Sequence, residues 1–378
     1  MTDAATLQGQ AADVIVIGGG IVGAACADEL ASQGLHVLVL DCQRPAATAA
    51  GMGHLVVLDH SAAELALGEY SVKAWRELAP QMPDDCAMRT NGTLWLACNE
   101  EEMEEAERKH AALSEYGLAC ELLSGAELAK AEPSLRSGLL GALKVSGDGI
   151  LYAPNAARWL LQRQSSRVVL RQAEVAEVQG NRVHLATGEW LQAPAVVLAS
   201  GIYARELCPD LPLQAKKGHL LITDRYPAQI THTLVELGYV TSAHKGNGPS
   251  VAFNVQQRPT GQLFIGSSRQ FDNHDPQVDA AMLGRMLRRA MDFLPGLGEM
   301  NGLRSWTGFR SASPDGQPLI GEHPHQPGLW LAVGHEGLGV TTATGTARLL
   351  AAQMLRTRPP LDVEPYLPQR FIGARAHA

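Results

Sequence analysis

Gly18, Gly20 and Gly23 stand at the spacing that lets a chain turn around a pyrophosphate, and Asp41 follows 23 positions after the first. Gly18 permits the tight turn, Gly20 lets phosphate approach the backbone, and Gly23 lets a helix pack closely on the strand before it. Ile21 and Val22 open that helix, whose unpaired N–H groups and dipole favour negative charge. An acid at position 41 is placed to accept hydrogen bonds from a ribose 2′-OH. It would repel a 2′-phosphate, which argues against an NADP-type nucleotide. A second anion-facing feature lies near the other end, where the run GHEGLG (Gly334 to Gly339) precedes a helical pattern and turns free N–H groups toward a neighbouring anion.

The elements that must hold these residues are legible. Val14 to Ile17 and Val37 to Leu40 are short, wholly apolar runs, as expected of buried parallel strands with a helix between them. A run of small residues from Pro45 to Leu55 brings Ala50, Gly51 and Gly53 together, and suggests backbone passing close to a ligand. Helical patterns cover 64–78, 100–116, 149–161 after an opening turn, 276–294 and 339–355. The helix at 100–116 is heavily charged on one side, as a solvated face would be. Strand signals resume at 167–171, in a hairpin over 174–187 turning at Gly180, and at Ala195 to Ala199 before Ser200 and Gly201. Strand-like runs between Lys216 and Ser268, punctuated by glycine and proline, indicate an antiparallel sheet. Nucleotide-type βα pattern thus opens the chain, returns in its middle and closes it.

Composition removes several function classes. The chain has 378 residues and a formal charge of −8, with pI near 5.9. No basic stripe exists to neutralise nucleic-acid phosphates. No apolar run is long enough to span a bilayer, and the start lacks the basic and apolar regions of a signal peptide, so a cytoplasmic protein is the expectation. Six scattered cysteines form no CxxC pair, which gives no sign of a zinc or iron–sulfur site. Any redox group is then organic, and any metal carrier resides in another chain.

The ordered motifs VIGGGIVGAACADEL, VVLASGIYA, KKGHLL, GQLFIGSSRQ, WTGFRSASPDGQPLIG and GHEGLGVTTATGTARLLA resemble the FAD-dependent D-amino acid oxidase superfamily over nearly the whole chain. Glycine and sarcosine oxidases belong to that group. GSSRQFD and GHEGLG look most like bacterial D-hydroxyproline and proline dehydrogenase flavoprotein subunits. The resemblance implies an α/β plus α+β fold, in which an FAD-binding Rossmann-like domain of the glutathione-reductase type interleaves with an antiparallel-sheet substrate domain. The expected limits are 1–80, 145–215 and 302–378 for the first, 81–144 and 216–301 for the second.

The resemblance also implies roles. FAD would lie on the opening βαβ unit, with Val175 against the adenine and Gly201 at the pyrophosphate. Gly337, Leu338, Gly339 and Thr341 would face the flavin N1 and C2 carbonyl, where fixed donors stabilise the negative charge of reduced flavin. Arg310 would hold a substrate carboxylate in its guanidinium fork; the competing role is an ion pair with an acid such as Asp315. His54, at the end of the small-residue loop, would bond the flavin ring or pack beside it. Of His335 and Glu336, one would meet the substrate amine or neither would. Tyr239 would cover the substrate or pack in the core. Two departures stand out. Lys217 and His219 occupy places where the family often has Arg and Gln, and Gly308 replaces the cysteine that bonds flavin covalently in sarcosine oxidases, so non-covalent FAD is expected. The implied activity is oxidation of an amino or imino acid at its Cα–N bond, by a hydroxyproline- or proline-type dehydrogenase. The alternatives are a glycine/sarcosine-type oxidase using O₂ and a flavin-carrying subunit that passes electrons to a partner. An oligomer fits any of these.

Overall fold

The computed structural model describes residues 2–4, 6–7, 10–58, 60–238 and 248–373. A six-stranded sheet runs in the order Val168–Gln172, Val37–Asp41, Val14–Ile17, Ala195–Leu198, Leu329–Val333 and Leu319–Glu322. All pairings are parallel except the last, which is antiparallel. Side-chain alternation sorts the apolar strands onto two faces. Val14, Val16, Val37 and Val39 pack with Ala24, Ala27 and Leu30 of helix Ile21–Ser32. Ile15, Ile17, Leu38 and Leu40 pack instead with Val178, Val183, Leu185 and Leu191 of a small four-stranded sheet. Burial on both faces explains why these strands carry no polar residue before Asp41. Helix Gly339–Met354 lies against Ile21–Ser32 and against helix Ala62–Leu78, which places the helix N-termini of both glycine motifs on the same side.

A nine-stranded sheet forms the second layer. Its order is His335–Glu336, Gly302–Ala312, Gln214–Arg225, Gln262–Phe271, Ser250–Gln257, Thr233–Glu236, Thr93–Ala97, Gly141–Val145 and Cys120–Ser124. Helix Ala280–Phe293 covers one face, with Met286, Ala290 and Phe293 against Leu234, Phe253 and Val255. Two pairings and one helix boundary add detail. The strand Gly302–Ala312 pairs over ten positions with Gln214–Arg225. The sheet is antiparallel as expected, apart from one pair, Thr233–Glu236, which runs parallel to Thr93–Ala97. The helix expected from Pro276 begins at Ala280, where Asp279 caps it by accepting from the N–H groups of Ala281 and Met282.

The small-residue run is held by the nine-stranded sheet. Trp306 Nε1 donates to the Ala50 carbonyl at 3.1 Å, and Gln256 Nε2 donates to the Met52 carbonyl at 2.9 Å. Gly53 has φ +77°, and a Cβ there would sit 1.9 Å from the Leu151 carbonyl oxygen. Only glycine passes this point.

Candidate active site

A continuous cavity of about 690 Å³ opens between the two layers. At one end stand Gly18, Gly20, Ile21, Val22 and Asp41, with Val175 and Gly201 also on its wall. Gly18 adopts φ +106°, which suits glycine, and any Cβ would press on the Ala199 carbonyl oxygen at 2.7 Å. The helix N-terminus at Gly20 has no side-chain cap. Thr48, which sequence reasoning missed, accepts from the Ile21 N–H at 3.0 Å. Asp41 accepts from Gly19 N–H at 2.5 Å and from Gln43 N–H at 2.6 Å, so its carboxylate is held at the cavity edge. Gly23 does not line the cavity. A Cβ on it would lie 1.9 Å from the Gly18 carbonyl oxygen, so it serves the close helix–strand approach.

The same end carries a group with no sequence signal: Arg44 bonds Glu206 through both guanidinium nitrogens, at 2.6 and 2.9 Å, and lies 3.8 Å over the Tyr203 ring. These residues are far apart in the chain, and only the fold joins them.

At the other end, Ala50, Gly51, Gly53, His54, Arg310, His335, Glu336, Gly337, Leu338 and Gly339 line the cavity. Thr341 does not. It is buried behind the wall, donating to the His54 carbonyl at 3.0 Å and accepting from Val56 N–H at 3.2 Å. Tyr239 lies outside the described residues. The helix Gly339–Met354 starts at Leu338 without a side-chain cap, leaving N–H groups for a ligand.

Burial lowers His54 to about 4 and His335 to about 3. Both imidazoles are therefore neutral, each with one donor and one acceptor nitrogen. His54 Nε2 pairs with the Thr93 hydroxyl at 2.8 Å. His335 Nε2 pairs with the Thr346 hydroxyl at 3.0 Å, inside the terminal helix. Glu336 holds the left-handed backbone conformation, φ +49°, a strained state for a side-chain residue. Burial alone would push its carboxyl up, but Arg310, then Lys216 and Arg269, outweigh burial and hold it below the ordinary range. Of the two, it is Glu336 that presents charge.

Arg310 lies over Gly218, where an added Cβ would meet its guanidinium at 3.2 Å. It donates to the Ser268 carbonyl at 3.2 Å. Asp315 is not its partner, being bonded by Arg370 at 2.9 and 3.2 Å; the acid whose charge Arg310 meets is Glu336. Lys217 and His219 are both buried. Lys217 donates to the Gln277 carbonyl at 2.6 Å, and His219 pairs with Ser268 Oγ at 2.8 Å while accepting from Asp279 N–H at 3.0 Å. Lys216 is the lysine on the cavity wall. Alternation puts neighbours in a strand on opposite faces, and sequence alone did not say which.

Among the described residues, buried polar atoms of the cavity lining without a hydrogen-bond partner include Ser200 Oγ, Asn254 Oδ1, Ser311 Oγ and Glu336 Oε1. Orphaned groups of this kind cost free energy unless a polar ligand meets them. Elsewhere, Cys208, Asp210 and His323 bring ligand-type atoms within 4.8 Å of one another. There His323 Nδ1 accepts from the His325 N–H at 3.2 Å, so its proton sits on Nε2, donating to Asp210 at 3.1 Å. That nitrogen has no lone pair for a metal. Among the described residues no helix is long and apolar enough to cross a membrane.

Residues 13–353 match the DAO family model, described as FAD dependent oxidoreductase. The chain belongs to that family. A glycine oxidase of Geobacillus kaustophilus is 28% identical, over 96% of this chain and 97% of that protein. The crystal structure of glycine oxidase from the same organism matches with TM-score 0.85 and 27% identity, covering 96% of this chain and 99% of the other. An opine oxidase subunit of Rhizobium meliloti is 26% identical, over 96% of this chain and 99% of that one. The fold is also shared with L-proline dehydrogenase from P. horikoshii, at TM-score 0.86 and 21% identity, over 95% and 97% of the two chains. This DAO-family chain is thus an FAD-dependent enzyme of amino acid oxidase and dehydrogenase type. Its cavity fits the cofactor. Helix N-termini stand at both ends, the second without a side-chain cap, the turn is open only to glycine, the Asp41 carboxylate lies on the wall, and orphaned polar atoms line the cavity. At Gly308 an added Cβ would lie 2.3 Å from the Ala50 Cβ, so this wall has no room for a cysteine tether.

Proposed function

We propose that this chain oxidises the Cα–N bond of a small amino or imino acid. FAD, when bound, supplies the hydride acceptor at N5. The observation that carries this reading is Arg310: a cation on the cavity wall whose hydrogen bond goes to one backbone carbonyl, leaving its fork for a carboxylate. Two parallel charge-assisted bonds would fix the substrate plane and hold its Cα–H toward the ring. Glu336, kept ionised by its cationic neighbours, would accept from the substrate amine. Neutral His335 is tied to Thr346 and takes no proton from the substrate. No carbon-bound proton needs a base, because hydride leaves from an amine bound in its neutral form.

The narrower reading from the motifs is a D-hydroxyproline- or proline-type dehydrogenase. The alternative, a glycine/sarcosine-type oxidase or the flavin-carrying subunit of a multi-subunit dehydrogenase, has more behind it. Its support is full-length likeness to a protein named glycine oxidase and to one named as a subunit of opine oxidase. Anaerobic mixing of the holoenzyme with glycine, sarcosine, D-alanine, proline and hydroxyproline tests the whole reading. Bleaching of the flavin by at least one amine is expected, and none would overturn it. Peroxide in air separates oxidase from dehydrogenase, and co-purifying chains mark an assembly.

A further inference from the structure

The ladder between Gln214–Arg225 and Gln262–Phe271 lapses beside Arg310. Lys217 pairs with Gln270 and Leu221 with Ile265, with a register shift between them. Where backbone pairing stops, a side chain bridges the two strands. His219 reaches Ser268 Oγ twice, from its backbone N–H at 2.9 Å and from Nδ1 at 2.8 Å. The carbonyl of the same serine takes the hydrogen bond from Arg310, at 3.2 Å. Gly218 leaves room for that meeting. An added Cβ there would stand 3.2 Å from the Ser268 carbonyl oxygen and from both terminal guanidinium nitrogens.

His219 works from behind the wall. Lys216 and Arg310 are directly paired, and His219, three positions along the strand, points by alternation to the other face. There its Nε2 accepts from Asp279 N–H, the residue that caps helix Ala280–Phe293. Burial and the neighbouring Lys217 charge lower its pKa against the pull of Asp279, so the ring is neutral. With Nε2 accepting, its single proton sits on Nδ1 and is donated to Ser268 Oγ. One imidazole thus ties a helix cap to the residue whose carbonyl holds Arg310.

Building on Arg310 as anchor of the substrate carboxylate, we propose that His219 is a positioning residue for that anchor, acting through Ser268. It replaces the missing ladder bonds, fixes the Ser268 carbonyl and so sets the plane of the Arg310 fork. Without it the fork loses its fixed acceptor, and carboxylate affinity falls while FAD is held as before.

Calorimetric titration of the oxidised holoenzyme with propionate, a carboxylate without an amine, reads the anchor directly. His219→Leu should raise the propionate Kd at least fivefold, and Ser268→Ala should do the same by removing the hydroxyl instead. His219→Gln should stay within twofold of wild type, because its amide can donate to Ser268 Oγ and accept from Asp279 N–H. FAD Kd should change less than twofold in all three. In an Arg310→Lys background, where no fork remains, the effect of His219→Leu should shrink below twofold. An unchanged propionate Kd in His219→Leu and Ser268→Ala, a fivefold effect that persists without Arg310, or an equal loss of FAD affinity overturns the inference. Propionate that wild type does not bind, or binds as well after Arg310→Lys, removes the anchor and this inference with it. If Arg310→Lys weakens propionate and His219→Leu does not, the anchor stands and only the positioning role falls.

Discussion

Arg310 illustrates how far single residues can be read. Its motif points to a carboxylate-binding arginine; the structure gives Asp315 to Arg370 and sets Glu336 within the influence of Arg310. Arg310→Lys should raise KM for carboxylate substrates at least tenfold, since one charge-assisted contact contributes about 1.5–3 kcal/mol. An unchanged KM takes Arg310 out of the site. His335 carries a stability prediction with a definite sign. Its folded value is lowered to about 3 from an ordinary 6.5. The unfolded chain therefore binds the proton first, and the contribution is full above pH 6.5 and is lost as pH falls toward 3. Thermal melts from pH 7 to 4.5 should show a falling Tm in the wild type and a shallower fall in His335→Gln. Parallel slopes would deny the buried neutral histidine. Lys216 was the residue hardest to see, because KK offers two lysines of equal appearance. The strand's register alone sends one to Gln277 and the other to the cavity.

At the scale of elements, the opening strand–turn–helix–strand was legible because apolar runs, glycine spacing and terminal acid all agree. The structure adds the reason for Gly23, whose Cβ would collide with the Gly18 carbonyl oxygen and approach the Ala199 Cβ at 3.3 Å. Gly23→Ala should push the helix off its strand, cost about 1–3 kcal/mol of stability, and weaken FAD retention. Dialysis that strips FAD from the variant but not from wild type is the expected result; equal retention contradicts it. The pairing of strand Gly302–Ala312 was not legible for a physical reason. A strand at a junction between layers carries no composition cue to its partner, and only pairing with Gln214–Arg225 assigns it. Parallel pairing of Thr233–Glu236 with Thr93–Ala97 was equally invisible.

For the whole molecule, the cavity is built where two layers meet, so its walls come from segments spread along the entire chain. FAD bound there stabilises only the folded form, by about 4 kcal/mol at a thousandfold excess over Kd. Removing it should lower Tm by several degrees, with recovery on adding FAD back and none on adding FMN, which lacks the adenosine end. The most direct measurement is the visible absorbance of purified holoenzyme mixed anaerobically with the panel of amino and imino acids. The account predicts a yellow protein whose flavin releases freely on heating and bleaches with at least one of these amines. A protein that takes up no FAD, or whose bound FAD none of them reduces, would contradict it.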